Sequence, residues 1–311
     1  MERVTSRELN SAAHLAAWLI GLALAWGGPT QAGADARPTR IVSLNLCTDQ
    51  LVMLLAEPER IAAISHLARD PQLSVLADDA QRLPVNYGQA EEVFLLKPDL
   101  VVAGSFNINA SVDILRRLGV RVEELPSANS FDEIRMSVRR MGKLLGSEAN
   151  AERLVAEFDA RLAAVDRSTV SRSQLAALYY ANSYTSGAGT LAAEVVQRAG
   201  FKNLGSELGL EGVAELPLET LVMRRPDLVV TGLAYQAPAL AQEIFEHPAL
   251  AYLQQRSQKV AIPENLWICG TPFTARAVEA LADVGKALPS KTAAALGRSG
   301  ATAADPPMAR K

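Results

Sequence analysis

Two patterns of apolar and polar positions alternate along most of the chain. Short runs of Val, Ile, Leu or Ala bounded by Gly, Pro or Asp predict buried parallel strands. Between them, apolar residues recur every three or four positions, as on one face of a helix. The alternation predicts an α/β fold with parallel sheets and right-handed crossovers. The predicted strands are 40–44, 61–65, 100–104, 121–125, 175–181, 227–231 and 259–262, and the predicted helices include 50–56, 111–118, 191–198, 240–254 and 274–288.

One unit of this pattern occurs twice. Segments 91–104 and 219–232 share a first glutamate, a Pro-Asp-Leu-Val-Val run and a final glycine at identical spacing. In each copy a basic residue stands at the predicted helix C-terminus, and the proline that follows ends the helix. The duplication predicts two lobes, 38–146 and 172–288, with a ligand bound in the cleft between them.

A long amphipathic helix is predicted between the two copies. Apolar residues recur at helical spacing from Phe131 and, after Gly146 and Ser147, again from Leu154 to Val165. A helix over residues 148–165 would be roughly 27 Å long, enough to join two lobes. We therefore predict two Rossmann-like α/β lobes joined by one backbone helix over residues 147–167. The alternative is a helix that packs on one domain only.

The two ends of the chain differ from its body. Arg3 and Arg7, an apolar stretch over 12–26 and Ala-Gly-Ala at 32–34 predict a signal peptide over residues 1–34 and a periplasmic location. The apolar stretch is shorter than the ~20 residues of a membrane span, and no cysteine follows it to accept a lipid. Residues 289–311 are rich in Ala, Gly and Pro and predict a disordered tail.

The charge balance argues against a nucleic-acid partner. The net charge is −3, and removal of the predicted signal peptide leaves it unchanged, because that segment holds two basic and two acidic residues. A mildly acidic chain lacks the basic surface that nucleic acid requires. Only His66 and His247 follow the signal peptide, so a bare metal ion would lack convergent ligands. We expect neither a bound metal nor a cofactor.

Several motifs together resemble a known family, the periplasmic substrate-binding proteins of ABC importers for cobalamin and iron chelates. The similar stretches, in order, are Ile41-Val-Ser-Leu, the two Glu-x6-Pro-Asp-Leu-Val-Val units, Leu144-Leu-Gly-Ser-Glu-Ala, and Ile262-Pro followed by Trp267. The resemblance covers residues 40–288 and implies two lobes joined by a helix. It also implies a metal-chelate ligand (a corrinoid, a ferric siderophore or haem) and partners in an inner-membrane permease and its ATPase. We expect a monomer that is not embedded in the membrane.

The resemblance also implies which loops face the ligand, namely 45–49, 183–190 and 266–273. Aromatic rings there would supply flat apolar walls with polar tips, although any one of them could instead belong to the core. An anionic ferric chelate would need basic partners such as Arg69 or Arg276, whereas a neutral corrinoid would need few charges. The resulting ligand-binding candidates are Asn45, Cys47, Tyr87, Tyr184, Thr185, Trp267 and Cys269.

The resemblance further implies a docking role for Glu91 and Glu219. In the family, the acidic residue that opens the repeated helix pairs with arginines of the permease. The alternative is that both are ordinary first-turn carboxylates stabilised by the helix dipole.

Cys47 and Cys269 are the only cysteines, and they fall in predicted cleft loops of different lobes. Three states are open for them. A disulfide requires Cα atoms within about 7 Å and would impede ligand exchange; thiolates could meet a metal centre of the ligand; or both thiols could be buried and free. A catalytic alternative is a thiol-dependent periplasmic enzyme with Cys47 as nucleophile and His66 as base, although the chain has no Cys-x-x-Cys and no nucleophile elbow.

Overall fold

The structure is a computed structural model that describes residues 37–105, 109–165, 174–232 and 240–288. The predicted signal peptide, the predicted tail and the last residues of the predicted connector lie outside these described residues. Within them, each helix is too short or too polar to cross a membrane.

The first lobe contains a five-stranded parallel sheet. The sheet order is β3-β2-β1-β4-β5, so the chain leaves the central strand β1 first toward one edge and later toward the other. Open α/β sheets bind ligands at such a switch point, beside the carboxyl ends of the strands. The strands are β1 (Ile41–Ser43), β2 (Ile61–Ser65), β3 (Val85–Asn86), β4 (Leu100–Gly104) and β5 (Val122–Leu125), and the helices are α1 (Leu46–Leu55), α2 (Ala77–Ala80), α3 (Ala90–Leu95) and α4 (Asn109–Arg117).

Two helices in series follow the first sheet. Helix α5 (Phe131–Leu145) ends at Gly146, whose φ of 62° is readily adopted by glycine. Helix α6 (Glu148–Ala164) is about 26 Å long, within one residue of the prediction. The two helices pack together, and Arg135 of α5 bonds Asp159 of α6 at 2.7 Å.

The second lobe contains a four-stranded parallel sheet of order β11-β10-β6-β8 and a two-stranded antiparallel pair, β7 and β9. The predicted α/β class with parallel sheets is therefore confirmed. The strands are β6 (Leu175–Leu178), β7 (Tyr184–Ser186), β8 (Lys202–Asn203), β9 (Val213–Glu215), β10 (Leu228–Thr231) and β11 (Gln258–Ala261), and the helices are α7 (Leu191–Arg198), α8 (Leu204–Glu207), α9 (Leu218–Arg224), α10 (Pro248–Gln254) and α11 (Thr274–Ala287).

The two lobes share apolar packing around the connector. The largest buried cluster runs from β1 through α5 and α6 to α7 and α11. Arg161 of α6 donates to Glu279 of α11 at 2.8 Å, and the backbone N–H of Phe131 donates to Glu194 of α7 at 2.8 Å. Helix α6 therefore contacts elements of both lobes.

The repeated unit has the same conformation in both lobes, and its Pro-Asp pair explains why. Lys97 (φ 50°) and Arg225 (φ 46°) both adopt the left-handed conformation directly before the proline. Asp99 then accepts a hydrogen bond from the backbone N–H of Arg40 at 2.9 Å, beside the start of β1. Asp227 accepts the equivalent bond from Leu175 at the start of β6, at 2.7 Å. Each aspartate ties its own strand to the neighbouring strand.

Two local predictions were wrong. Helix α1 begins at Leu46 rather than residue 50, because Asn45 is its N-cap. The predicted helix 240–254 is divided into a 3-10 segment, Leu240–Glu246, and α10, which begins at Pro248. Proline has no N–H for a continuous helix ladder but is well suited to a first helical position.

Candidate ligand cleft

Asn45 organises the turn that follows the central strand β1. Its side-chain Oδ1 accepts the backbone N–H groups of Cys47 at 3.0 Å and Thr48 at 2.9 Å, two of the N–H groups that the first turn of α1 leaves without helical partners. The predicted ligand residue Asn45 is thus a cap in this structure. The cap fixes Cys47 at the carboxyl edge of the first sheet.

Cys47 and Cys269 form a disulfide with a Cα–Cα distance of 5.1 Å. Cys269 lies between β11 and α11 in the second lobe and is buried. Of the three states left open by the sequence, the structure contains the first. The free-thiol and thiolate alternatives and the Cys47 nucleophile are wrong for this structure, because both sulfur atoms are used in the bond.

A small cavity lies beside the disulfide, at the ends of β4 and β5. Asn45 and Cys47 of the first lobe and Leu191 and Trp267 of the second lobe contribute to its walls, and its volume is about 120 Å³. Pockets for small molecules usually measure roughly 300–1,000 Å³. The cavity is thus too small to enclose a metal chelate. Trp267 is only 8% exposed and forms part of this inner wall.

An exposed aromatic pair lies on the side of β1 away from this cavity, at the ends of β2 and β3. His66 follows β2 and Tyr87 follows β3, and their rings stack with centroids 4.9 Å apart and planes 27° from parallel. Tyr87 is 62% exposed, and its backbone N–H is held by Glu92 at 2.9 Å. The sequence indicated Tyr87 as a ligand residue, but it indicated His66 only as the base of the enzyme alternative.

Of the two predicted ligand residues on β7 in the second lobe, Tyr184 is exposed and Thr185 is buried. Tyr184 on β7 is 47% exposed. Thr185 is fully buried, and its hydroxyl donates to the Leu178 carbonyl at 2.7 Å. Successive side chains of a strand point to opposite faces, so only one of these neighbours can face a ligand. The predicted ligand role of Thr185 is corrected to a core hydrogen bond.

The two arginines considered as partners for an anion are engaged with the protein. Arg69 donates to the carbonyl oxygens of Leu83 at 2.6 Å and Ala80 at 3.3 Å. The guanidinium of Arg276 lies 5.0 Å from the ring centroid of Phe273. The guanidinium of Arg69 is therefore held by the backbone, whereas Arg276 is exposed and its guanidinium, among the described residues, makes this ring contact without a hydrogen bond or ion pair.

A buried carboxyl group joins helix α1 to the carboxyl end of the first sheet. Asp49 of α1 is fully buried and accepts the backbone N–H of Ser65 at 3.1 Å and the Ser65 hydroxyl at 2.5 Å. Burial raises the pKa of Asp49 to about 7, although the hydrogen bonds act in the opposite direction. The contact fastens α1 to the end of β2, directly before His66. Nothing in the sequence pattern indicated this role of Asp49.

Glu91 and Glu219 occupy equivalent exposed positions in the two lobes. Each lies in the first turn of its helix, α3 or α9. One helical turn later, Leu95 is 77% exposed and Met223 is 73% exposed. Residues four apart share one helix face. Each lobe therefore presents a carboxylate and an apolar side chain in the same arrangement.

The fold and the inter-lobe cleft define the chain as a two-lobed α/β binding protein. Residues 41–254 match the family described as Periplasmic binding protein. The chain therefore belongs to the periplasmic binding protein family. The proteins of this family bind substrates and are not enzymes, which confirms the prediction of a non-enzymatic protein.

Individual relatives agree with the family assignment. An uncharacterised ABC transporter substrate-binding lipoprotein of Bacillus subtilis, YvrC, is 26% identical over 213 residues, which are 65% of this chain and 66% of that protein, just under two thirds of its length. The haem-binding protein RhuT of Roseiflexus has a similar fold, with a TM-score of 0.66 and 21% identity over 80% of this chain and 98% of that one. The vitamin B12-binding protein BtuF of Vibrio cholerae gives a TM-score of 0.61 and 20% identity over 81% and 98%.

Proposed function

We propose that this protein is the substrate-binding receptor of an ABC importer and that its ligand is a metal chelate with a broad flat face, a haem or a corrinoid. The observation that carries the proposal is the stacked, exposed pair of His66 and Tyr87 at the carboxyl ends of β2 and β3 in the first sheet. Such a pair supplies a flat, partly apolar surface with polar edges on which a macrocycle can stack.

The second lobe supports a ligand held between two walls. Tyr184 exposes nearly half of its surface and can cover the opposite face of a macrocycle. Aromatic rings prefer offset stacking and add about 0.5–1.5 kcal/mol beyond the area that they bury. The haem- and vitamin B12-binding proteins that share this fold are consistent with a flat ligand, although a shared fold alone does not identify one.

Delivery to a permease is the second part of the proposal. Glu91 and Glu219 would each pair with a basic residue of the membrane component, with one contact per lobe. The relation to an ABC transporter substrate-binding lipoprotein supports such a partner. The receptor would act as a monomer in the periplasm, after export directed by residues 1–34.

Equilibrium titration against cobalamin, cobinamide, hemin and a ferric hydroxamate siderophore tests the ligand. We expect saturable binding of a tetrapyrrole, and Tyr87→Ala should weaken it about tenfold, the factor that corresponds to ~1.4 kcal/mol. Tyr252→Ala is the matched control, because Tyr252 is similarly exposed (45%) but lies on α10. Binding of the siderophore alone would contradict the proposal of a flat ligand but agree with the proposed receptor function. No binding, or unchanged affinity in Tyr87→Ala, would contradict the proposal.

A further inference from the structure

Glu264 brings a carboxylate to the junction of the two lobes. It begins the 3-10 turn Glu264–Leu266 that follows β11. The next residue, Asn265, donates to the Pro71 carbonyl of the first lobe at 2.8 Å. Trp267, three residues later, lines the inter-lobe cavity. The turn therefore lies where the two lobes meet.

The carboxylate lies near the carboxyl ends of two strands of the second sheet. Glu264 Oε1 lies close to Gly232, just past the end of β10, in space that a Cβ at this position would occupy. Tyr180, just past the end of β6, is also within electrostatic reach: burial, and to a lesser degree the Glu264 charge, raises the pKa of Tyr180 to about 12. The strands β10 and β6 are the two inner strands of this sheet.

Nothing in the described part of the chain explains the placement of this charge. Among the described residues, the Glu264 carboxylate has no hydrogen-bond or ion-pair partner, and partial burial raises its pKa. Burying an ionised group costs free energy unless it is paired. A carboxylate that only stabilised the fold would be expected to have a donor, as Asp49 and Asp227 do.

We propose that Glu264 selects the rim chemistry of the ligand, favouring a macrocycle fringed with amide N–H donors over one fringed with carboxylates. Amide groups can supply the missing donors, whereas a ligand carboxylate would meet a like charge in a partly desolvated site. Of the two flat ligand classes, the amide-fringed corrinoid fits this site and haem, with its two propionates, does not.

The inference rests on the proposed function, and one set of titrations separates the two. Cobinamide and hemin are titrated into the parent protein and into Glu264→Gln, which keeps the shape of the side chain and removes the charge. The parent should prefer cobinamide. In Glu264→Gln, cobinamide should bind roughly tenfold more weakly, since a hydrogen bond to a charged group exceeds one to a neutral group by about that factor. Hemin should bind roughly tenfold more tightly, because the charge that repels its carboxylates is removed.

Glu59→Gln provides the matched control. Glu59 is an exposed carboxylate in the 3-10 segment Pro58–Arg60, which precedes β2 and so lies at the opposite edge of the first sheet. This variant should leave both affinities unchanged. If Glu264→Gln binds both ligands as the parent does, or if the parent prefers hemin, the inference is overturned while the receptor proposal stands. If neither ligand nor any other chelate binds, the proposed function itself fails.

Discussion

Removal of the Cys47–Cys269 disulfide should destabilise the protein strongly. The bond joins residues 222 positions apart. A cross-link lowers the chain entropy of the unfolded state by an amount that grows with the logarithm of loop length. For a loop of this size the relation gives roughly 5 kcal/mol at 25 °C. Since 1 kcal/mol shifts Tm by about 2–4 °C in a chain of 150–250 residues, the expected loss is on the order of 10–20 °C.

The protein should remain folded without the bond. The lobes also share the apolar cluster around α6 and the hydrogen bonds from Asn265 to Pro71 and from Phe131 to Glu194. These non-covalent contacts permit wider separation of the lobes than the disulfide does. We therefore expect a larger radius of gyration by X-ray scattering in the variant without cysteines, together with faster ligand association.

Urea and thermal unfolding of three samples provide the measurement: the oxidised protein, the same protein under reductant, and the Cys47→Ala, Cys269→Ala double variant. The reduced protein is the control, because it retains both side chains and lacks only the bond. Alkylation of the unreduced protein should label no thiol. Two labelled thiols, or an oxidised protein within about 1 kcal/mol of the reduced one, would refute the role assigned to the cross-link.

Two further predictions concern carboxyl groups. Because burial raises the pKa of Asp49 from 3.8 to about 7, the folded state binds more protons than the unfolded state between these values, and the free energy of unfolding should fall by a few kcal/mol as pH rises from about 4 to about 7. Urea unfolding at pH 5 and pH 8 measures this change in the free energy of unfolding, and Asp49→Asn should remove the part that Asp49 contributes. The same change between the two pH values in both proteins would contradict the assignment. Joint replacement of Glu91 and Glu219 by Ala should leave ligand affinity unchanged and abolish stimulation of the permease ATPase. Stimulation by the parent protein should weaken in high salt. Glu59→Ala is the control, and full stimulation by the double variant would count against docking.

The main architecture could be predicted from the sequence because it depends on local patterns. Buried strands such as β4 and β10 are continuous apolar runs bounded by turn residues, and α7 was predicted with its observed limits, Leu191–Arg198. The duplicated Pro-Asp unit indicated two related lobes. Its physical reason, an aspartate that bonds the neighbouring strand, depends on tertiary contacts and was not apparent from the sequence.

The site could be predicted only in part, because cleft chemistry depends on distances across the lobes. The sequence placed both cysteines in facing loops but could not show that their Cα atoms lie 5.1 Å apart. Thr185 was assigned to the cleft because its loop faces it, yet strand alternation turns the side chain inward. Glu264 was missed because the pattern around it does not reveal an unpaired charge. Its proximity to Gly232 becomes visible only in three dimensions.

Native mass spectrometry of the purified protein most directly tests whether it is a receptor for a flat metal chelate. The protein is offered cobinamide, cobalamin, hemin and a ferric siderophore in competition. We expect one tetrapyrrole per chain, retained in the gas phase, with a corrinoid preferred over hemin. Retention of none of these ligands, or of the siderophore alone, would contradict the proposal.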